Sequence, residues 1–442
     1  SHPFKAGFRW AREAGSKTNP QNPAFSFLTI PDLLANRPNS MGLQTGQPSH
    51  DAHMDNFGGF LQDDWRLTNR LMLNLGVRFD FYPTFQVEAT SDRPAEIVNL
   101  ESPTDLRLMD FGAPRPADRI YNPDWFNIGP RAGFAWTLDE RGDTVVRGGA
   151  GVLFSPLMLA LLQNNVADPE IGAAINFNRT ELAARGIGWG DYAFEIQDSV
   201  RAERAGRKAV FSLIDPDLRA PYTVQSMLNV QRSLGGAWMA ELGYLRTDGR
   251  NFPLSRPLVQ AFDRQTGVRP NPALGAPSGV YITSEQTMVY NAMQSSVRRR
   301  FADDYGLAFH YTYSRGYAEQ GGSLASNFVN SDYFVTQDFF DPFHDRNPLS
   351  QEARHRISVD GLYQIPSFTE GWLSHVLGGW QISGVVQARS GVPLRVTQPS
   401  GISQSRPDLI GDNPVLDHYR DTLMYLDRSQ FALVPTSPIT NA

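Results

Sequence analysis

The sequence predicts an all-β protein: an antiparallel, up-and-down transmembrane β-barrel, of which this chain supplies about eleven strands. Three observations predict that fold. Apolar residues alternate with polar ones at a period of two, as they do in strands with one apolar face. The alternating segments run for about ten to fifteen residues, which suits tilted strands that cross a bilayer. The connections alternate between short and long, as do the periplasmic turns and extracellular loops of outer-membrane barrels.

One lone strand opens the chain and five hairpins follow it. The clearest strand covers 70–81, because leucine, valine and phenylalanine fill one face while the other carries polar residues, methionine and glycine. The pattern over 289–301 is mixed, but it still favours a strand. In order, the predicted strands cover 4–10, a segment that ends near 66, 70–81, 127–138, 146–154, 222–230, 238–244, 289–301, 305–313, 357–365 and 380–388.

The connections between these strands divide into two classes. Short turns are predicted at Leu67–Asn69, Asp139–Gly142, Leu234–Ala237, Ala302–Asp304 and, somewhat longer, 366–375. Long loops are predicted at 15–50, 84–126, 156–220, 250–286, 318–351 and from 392 onward. Loops longer than about 15 residues are uncommon inside compact domains, so the alternation favours a barrel over a sandwich or propeller. We therefore assign 1–396 to a partial transmembrane barrel and 397–442 to an extracellular loop or an incomplete C-terminal segment.

The composition agrees with a membrane wall. Only 19% of the 442 residues are charged, below the roughly 25% of soluble domains, whereas 11% are aromatic. Aromatic residues gather where strands meet turns or loops, as in the girdles at the two membrane interfaces, with aromatic residues in the core of a soluble sheet as the alternative. The predicted girdle residues are Phe60, Trp65, Trp125, Trp136, Trp238, Phe301, Tyr305, Tyr311, Tyr313, Tyr363, Trp372 and Trp380.

Several function classes find no support. The chain has no cysteine, which excludes a disulfide scaffold, thiolate zinc sites and thiol catalysis within it. No run of basic residues predicts a nucleic-acid partner. His50 and His53 are three apart, so in a strand they point to opposite faces, and we predict no metal site. No nucleophile elbow, phosphate loop or HExxH motif occurs, so we expect neither an enzyme nor a cofactor.

Nine segments resemble those of one family in order and spacing. They are 60–66 (FLQDDWR), 73–79 (LNLGVRF), 129–135 (GPRAGFA), 146–151 (VRGGAG), 290–294 (YNAMQ), 311–314 (YTYS), 354–356 (RHR), 377–384 (LGGWQISG) and 390–393 (SGVP). Together they resemble TonB-dependent outer-membrane transporters, and the second half resembles the Oar-like branch. The resemblance covers most strands between 6 and 396 and little of the long loops.

The resemblance implies a 22-stranded barrel in a Gram-negative outer membrane, filled by a plug that an energy-coupling protein opens. An odd number of strands cannot close a bacterial single-chain barrel, and an unpaired edge is not viable in lipid. We therefore expect the remaining strands, the plug domain and the TonB-type coupling protein to lie outside this sequence. The expected partners are these two proteins and the lipid of the outer membrane.

The presumed inward face is rich in arginine. Only Lys5, Lys17 and Lys208 are lysines among the 40 basic residues. Because arginine pairs with carboxylates in a planar, two-point geometry, this wall is predicted to grip an acidic plug or to steer anionic cargo. The alternative is an ordinary polar lumen whose arginine reflects a GC-rich genome. The candidate residues are Arg78, Arg131, Arg147, Arg298, Arg300, Arg354, Arg356 and Arg389.

Three functions remain in competition. The leading hypothesis is that the chain is the barrel part of a receptor and transporter that moves a bulky ligand across the outer membrane. The second is a structural or adhesive surface scaffold whose long loops bind other surface proteins. The third is a secreted soluble β-protein such as a lectin. Leu71, Leu75 and Phe79 separate the first two from the third, since a soluble sandwich would bury them between two sheets.

Overall fold

The computed structural model describes residues 2–18, 23–44, 49–89, 98–99, 115–116, 119, 121–157, 174–189, 213–257, 280–319, 343, 346–366, 379–394, 396, 406–422 and 424–433. Most of the predicted turn over 366–375, including Trp372, lies outside these residues.

Strands dominate the described part of the chain. In the first half they are β1 (Phe4–Thr18), β2 (Ala24–Ser26), β3 (Ser40–Gln44), β4 (Ser49–Arg66), β5 (Leu71–Tyr82), β6 (Gln86–Ala89), β7 (Val98–Asn99), β8 (Arg115–Pro116), β9 (Asp124–Thr137), β10 (Thr144–Phe154) and β11 (Ala174–Asn178). In the second half they are β12 (Leu213–Ile214), β13 (Tyr222–Gly235), β14 (Trp238–Pro257), β15 (Val280–Ala302), β16 (Tyr305–Ala318), β17 (Asn347–Pro348), β18 (His355–Gln364), β19 (Gln381–Arg389), β20 (Asp408–Leu409) and β21 (Phe431–Ala432).

Helices are short in comparison. They are α1 (Ile30–Leu34), α2 (Arg179–Arg185) and α3 (Tyr419–Thr422), with a 3-10 turn at Arg428–Gln430. No helix in the described part of the chain has both the length and the apolar character that a bilayer crossing requires.

Eleven long strands form one antiparallel sheet in the order β1-β4-β5-β9-β10-β13-β14-β15-β16-β18-β19. Each strand pairs with the next long strand along the chain, so the topology is up-and-down and matches the lone strand and five hairpins predicted. The all-β prediction is confirmed. Among the described residues, β1 and β19 each pair on one side only, so the sheet is open.

Two of the short turns depend on left-handed backbone. Asp303 and Asp304 join β15 to β16 with φ angles of 47° and 68°, as in the two-residue turns that match the twist of a hairpin. The turn from β13 to β14 has Gly236 at 54° and Ala237 at 71°. Aspartate and glycine adopt this region readily, whereas alanine does so at a cost in free energy.

The turn between β9 and β10 is held by one carboxylate. Asp139 accepts hydrogen bonds from the backbone N–H groups of Asp143 at 2.8 Å and Thr144 at 2.7 Å. These bonds, with that from Asp143 the strongest contributor, lower the pKa of Asp139 below its ordinary 3.8. The charged carboxylate therefore closes this turn.

Register separates the sheet into two faces. On the apolar face, Leu71 lies opposite Trp136 and Phe79 opposite Ile128. Leu75 and Phe79 are 43% and 44% exposed, so no sheet within the described residues covers them, and the lectin-like sandwich hypothesis fails for this face. The predicted girdle residues Trp65, Trp136, Tyr311, Tyr313 and Tyr363 share this face by register.

Phe60 corrects one girdle prediction. It lies opposite Arg78 on one side and Gly7 on the other, so it belongs to the polar face. An added Cβ at Gly7 would lie 2.3 Å from its ring, which shows that the ring lies over this glycine. Alternation within β4 is weak around Gly58 and Gly59, so the sequence alone does not reveal the face on which Phe60 lies.

In β14 the apolar face is bounded at both ends. Trp238 opens the strand, and Arg246 lies eight residues later on the same face. Arg246 donates two hydrogen bonds to Asp248, at 2.7 and 2.8 Å. Beside it, in the same cross-strand row, lie Asn291 and Arg315. Charged side chains thus replace apolar ones at the loop end of this face.

Buried side chains gather at the loop end of the sheet. Met54 and Phe85 are almost completely buried, and the Tyr121 hydroxyl contacts the Met54 sulfur at 3.9 Å. Part of the predicted loop 250–286 is strand, because β14 continues to Pro257 and β15 begins at Val280. In addition, β12 pairs with β15 in parallel. This core lies beyond the alternating part of the strands.

A second small unit is built from two long connections. β3 lies between β2 and β11, although its residue Gly42 and the paired Asn176 of β11 are 134 positions apart in the sequence. Asn178 and Glu181 form a capping box at the start of α2. Arg179 of α2 donates to Asp32 of α1 at 2.9 Å, which joins the two connections.

Candidate functional site

The candidate site is the face of the sheet opposite to the apolar one, which we call the polar face. The cross-strand register places six of the eight predicted arginines on it: Arg78, Arg131, Arg147, Arg298, Arg356 and Arg389. Arg300 lies in β15 beyond its last regular pair with β16, and Arg354 precedes β18. The structure therefore brings six of these residues onto one surface and leaves two at its margins.

Arg78 is already paired. Its Nε and Nη2 donate to the two carboxylate oxygens of Asp80, at 2.7 and 2.6 Å. Asp80 is 4% exposed. Gly58 lies opposite Asp80, and a Cβ there would lie 2.5 Å from Nη2 of Arg78 and 2.6 Å from Oδ1 of Asp80. Glycine at 58 thus makes room for the ion pair, and Asp80 occupies the Nε–Nη2 edge of Arg78.

A four-residue network lies at the turn end of the polar face. Asp64 accepts from Lys5 at 2.6 Å, from Gln62 at 2.9 Å and from Asn74 at 2.6 Å. The network links β1, β4 and β5. From the sequence alone Asp64 is interpreted only as the mark of a strand end beside a solvated turn, although its even position in β4 places it on this face by the period of two.

Neutral and charged side chains share hydrogen bonds in the middle of the polar face. Arg147 donates to Gln231 at 2.7 Å, and Asn229 donates to Glu241 at 2.6 Å. Arg298 contacts the sulfur of Met239 at 3.2 Å. These contacts cross from strand to strand, so register must be known before they can be found.

The remaining arginines lack carboxylate partners among the described residues. No described acidic side chain forms an ion pair with Arg131, Arg300, Arg354, Arg356 or Arg389, and all five are exposed. Arg356 and Arg389 lie directly opposite each other on β18 and β19. Thr312 lies on the other side of Arg356 and Gln294 beyond it, so these four residues form one cross-strand row.

Two shallow hollows lie along the polar face. One, of about 720 Å³, is lined by Arg298, His310 and Asp360 among others, and His310 Nε2 lies 3.7 Å from an Asp360 oxygen. The other, of about 450 Å³, is lined by Gln62, Arg78 and Arg131 among others. Both offer cationic and hydrogen-bonding groups, which are suited to binding anionic or polar solutes.

The polar face is suited to binding by charge and hydrogen bonds. Within the described residues, no three histidine, aspartate or glutamate side chains come together in a way that could hold a metal ion. Asp80 is paired with Arg78 and Asp64 with Lys5, whereas the acids Glu241 and Asp360 are outnumbered by Arg131, Arg147, Arg298, Arg356 and Arg389 on the same face. The uncompensated charge on the face is therefore positive.

Several solved outer-membrane proteins are similar to this chain in part. The P. aeruginosa receptor FpvA bound to heterologous pyoverdines is 12% identical, with 79% of this chain and 30% of that chain covered and a TM-score of 0.41. The ferric-catecholate import receptor Fiu from E. coli K12 is 15% identical, with 83% and 40% covered and a TM-score of 0.40. The alcaligin outer-membrane receptor FauA from Bordetella pertussis is 12% identical, with 88% and 47% covered and a TM-score of 0.38.

The chain spans less than half of the length of each of these three structures. No curated protein matches its sequence. The model of the outer membrane beta barrel domain, in contrast, matches residues 1–442, the whole chain. The long antiparallel strands, the exposed apolar face and this match agree, and the chain belongs to the outer membrane beta barrel domain family, with its place in the outer membrane of a Gram-negative cell.

Proposed function

We propose that the chain is the barrel region of a TonB-dependent receptor and transporter of the Oar-like branch, which moves a bulky ligand across the outer membrane. The observation that carries the proposal is the division of one sheet into an apolar face and an arginine-bearing polar face. Outer-membrane barrels present apolar residues to lipid and polar residues to the lumen. On this proposal the polar face is the lumen wall and meets a plug or a solute.

The charge on the polar face supports a role in transport. A wall with uncompensated arginines attracts an acidic plug segment or an anionic solute, because guanidinium groups pair with carboxylates at two points. Arg131, Arg356 and Arg389 are exposed on this face without an ion pair to a described residue. The plug domain and a TonB-type coupling protein are the partners that this function requires.

A surface scaffold is the second candidate, and the small unit at the loop side favours it. Ile30 and Leu34 of α1 are 74% and 82% exposed, next to Leu28 at 68%. Apolar side chains exposed on a loop-side unit are typical of protein contacts. A scaffold would use this unit and would leave the polar face without a moving plug.

The absence of cysteine from this chain allows a direct test. Ser295 and Ser296 are neighbours in β15, but Ser295 lies opposite Leu242 on the apolar face and Ser296 opposite Glu241 on the polar face. Each is replaced by cysteine in the full-length protein, in cells. A membrane-impermeant maleimide should label Ser296→Cys, because this residue faces the water-filled lumen. It should not label Ser295→Cys, which faces lipid.

The same pair separates transport from scaffolding. If a plug moves in the lumen, the labelling rate of Ser296→Cys should rise when the inner membrane is energised and should fall when the proton gradient is collapsed. A rate that ignores the gradient would contradict transport and support the scaffold. Equal labelling of both variants would contradict the assignment of the two faces.

A further inference from the structure

The arginines at the loop end of β18 and β19 form a cluster that the rest of the structure leaves unexplained. Arg356 and Arg389 are direct cross-strand partners, so their Cβ atoms lie about 5 Å apart on the same face. Like charges in this position destabilise a sheet. Arg354 lies two residues before Arg356, at the edge of the same face. Three positive charges are thus concentrated at the loop end of this face.

No described acid relieves this repulsion. Asp360, the nearest acidic side chain along β18 on this face, is four residues from Arg356, about 13 Å along the strand, and lies beside His310. Glu352 is engaged by the backbone N–H of Gly316 at 2.7 Å. Both acidic groups are therefore committed elsewhere, and the charge of the cluster stays uncompensated.

The neighbours of the pair are neutral hydrogen-bonding groups. Thr312 and Gln294 complete the row of Arg356 and Arg389. The next row toward the turn end holds Ser296, His310, Ser358 and Gln387. Hydroxyl and amide groups around paired guanidinium groups are the donors that an oxyanion uses once its first oxygens are bound. The row therefore resembles a binding surface and not an ordinary solvated edge.

We propose that Arg356 and Arg389 form a clamp for a dianionic oxyanion, either a phosphate monoester or a pair of carboxylates, on the solute that the polar face receives. This inference rests on the proposed function, since it places the solute at the polar face. Two arginines whose Cβ atoms lie about 5 Å apart on one face can both reach the oxygens of one such group. Thr312 and Gln387 supply neutral donors beside it.

The test measures equilibrium binding, which needs no transport. The full-length protein in detergent micelles is titrated with inorganic phosphate, and separately with citrate, at low ionic strength, where charge interactions are least screened. Saturable binding of phosphate alone identifies a phosphoryl ligand, and binding of citrate alone identifies a carboxylate ligand. Arg389→Gln and Arg356→Gln should each lower the affinity for the probe about tenfold or more.

Two further variants keep the result interpretable. Arg315→Gln removes the same charge from an exposed position on the apolar face, and it should leave probe binding unchanged. Arg389→Lys keeps the charge and the fold but loses the two-point geometry, so its affinity should lie between those of the parent and Arg389→Gln. Equal binding by the parent and Arg389→Gln, or an equal loss in Arg315→Gln, would overturn the clamp.

The outcome of this binding test does not depend on whether the labelling rate of Ser296→Cys responds to the proton gradient. Probe binding without a response of labelling to the proton gradient keeps the clamp and defeats transport. A gradient response without probe binding keeps transport and defeats the clamp.

Discussion

The ion pair between Arg78 and Asp80 gives the sharpest test of the polar face. Three variants are needed: Arg78→Gln, Asp80→Asn and the double variant. The Asp80 side chain is 6% exposed and that of Arg78 is 23% exposed, so the two partners differ in their access to water. This difference predicts unequal costs for the two single substitutions.

The magnitudes follow from which charge is left alone. In Arg78→Gln a nearly buried carboxylate loses both charge-assisted donors, and removing one partner of a buried pair costs about 3–5 kcal/mol. In Asp80→Asn the guanidinium keeps partial access to water and an amide oxygen to donate to, so the cost falls to about 1–3 kcal/mol. The double variant leaves no unpaired charge and should recover about 2 kcal/mol relative to Arg78→Gln.

Urea unfolding in lipid vesicles, followed by tryptophan fluorescence, measures these free energies. The midpoint shifts are compared at a constant slope, so that a change in the unfolded state is not mistaken for lost stability. Equal costs for the two single variants would refute the reasoning from burial. Costs that simply add in the double variant would show that the two side chains do not interact.

Four further changes test other features. Ala237→Gly should raise the free energy of unfolding by about 0.5–1 kcal/mol, because residue 237 has a φ of 71°; an unchanged urea midpoint would count against strain there. Gly129→Ala should lower it by about 1–3 kcal/mol, since an added Cβ would lie 2.5 Å from a backbone carbonyl oxygen of β10. Asp139→Asn should remove an acid-dependent contribution: the lowered pKa gives stability that is complete above 3.8 and lost as the pH falls through the folded pKa. The urea midpoints of this variant and its parent should therefore converge as the pH falls from above 3.8 to below the folded pKa of Asp139, and a constant gap would contradict the turn's dependence on charge. Arg389→Gln should stabilise the sheet by a few tenths of a kcal/mol by relieving the like charge opposite it, and a loss of stability would show that the arginine makes a favourable contact.

The sequence was sufficient for the central part of each long strand. Over 70–81 the apolar and polar residues alternate without a break, so strand, face and approximate ends were predicted together. Prediction failed where β14 and β15 extend past this zone, because register shifts near Gly249 and Phe252 interrupt the alternation. Beyond that point both faces of the two strands pack against loop residues. Neither face is then distinguished by contact with water, so the sequence has no reason to alternate between apolar and polar residues.

The polar face was predictable in membership but not in pairing. Parity within each strand was enough to place Arg131 and Arg147 on one surface. The partner of Arg147 is Gln231, 84 residues away, and only register identifies it. Asp80 lies two residues from Arg78 and therefore shares its face, but the role of Gly58 depends on a cross-strand approach that no local pattern encodes.

The distance between Trp238 and Arg246 bears on the thickness of the bilayer around the sheet. Eight residues of antiparallel strand span about 27 Å, which a tilt of about 40° reduces to about 21 Å along the membrane normal. That is less than the roughly 25 Å apolar band of outer-membrane barrels. Lipid beside β14 must then thin locally or let Arg246 extend toward the headgroups, so hydrophobic mismatch would draw short-chain lipids to this side of the protein.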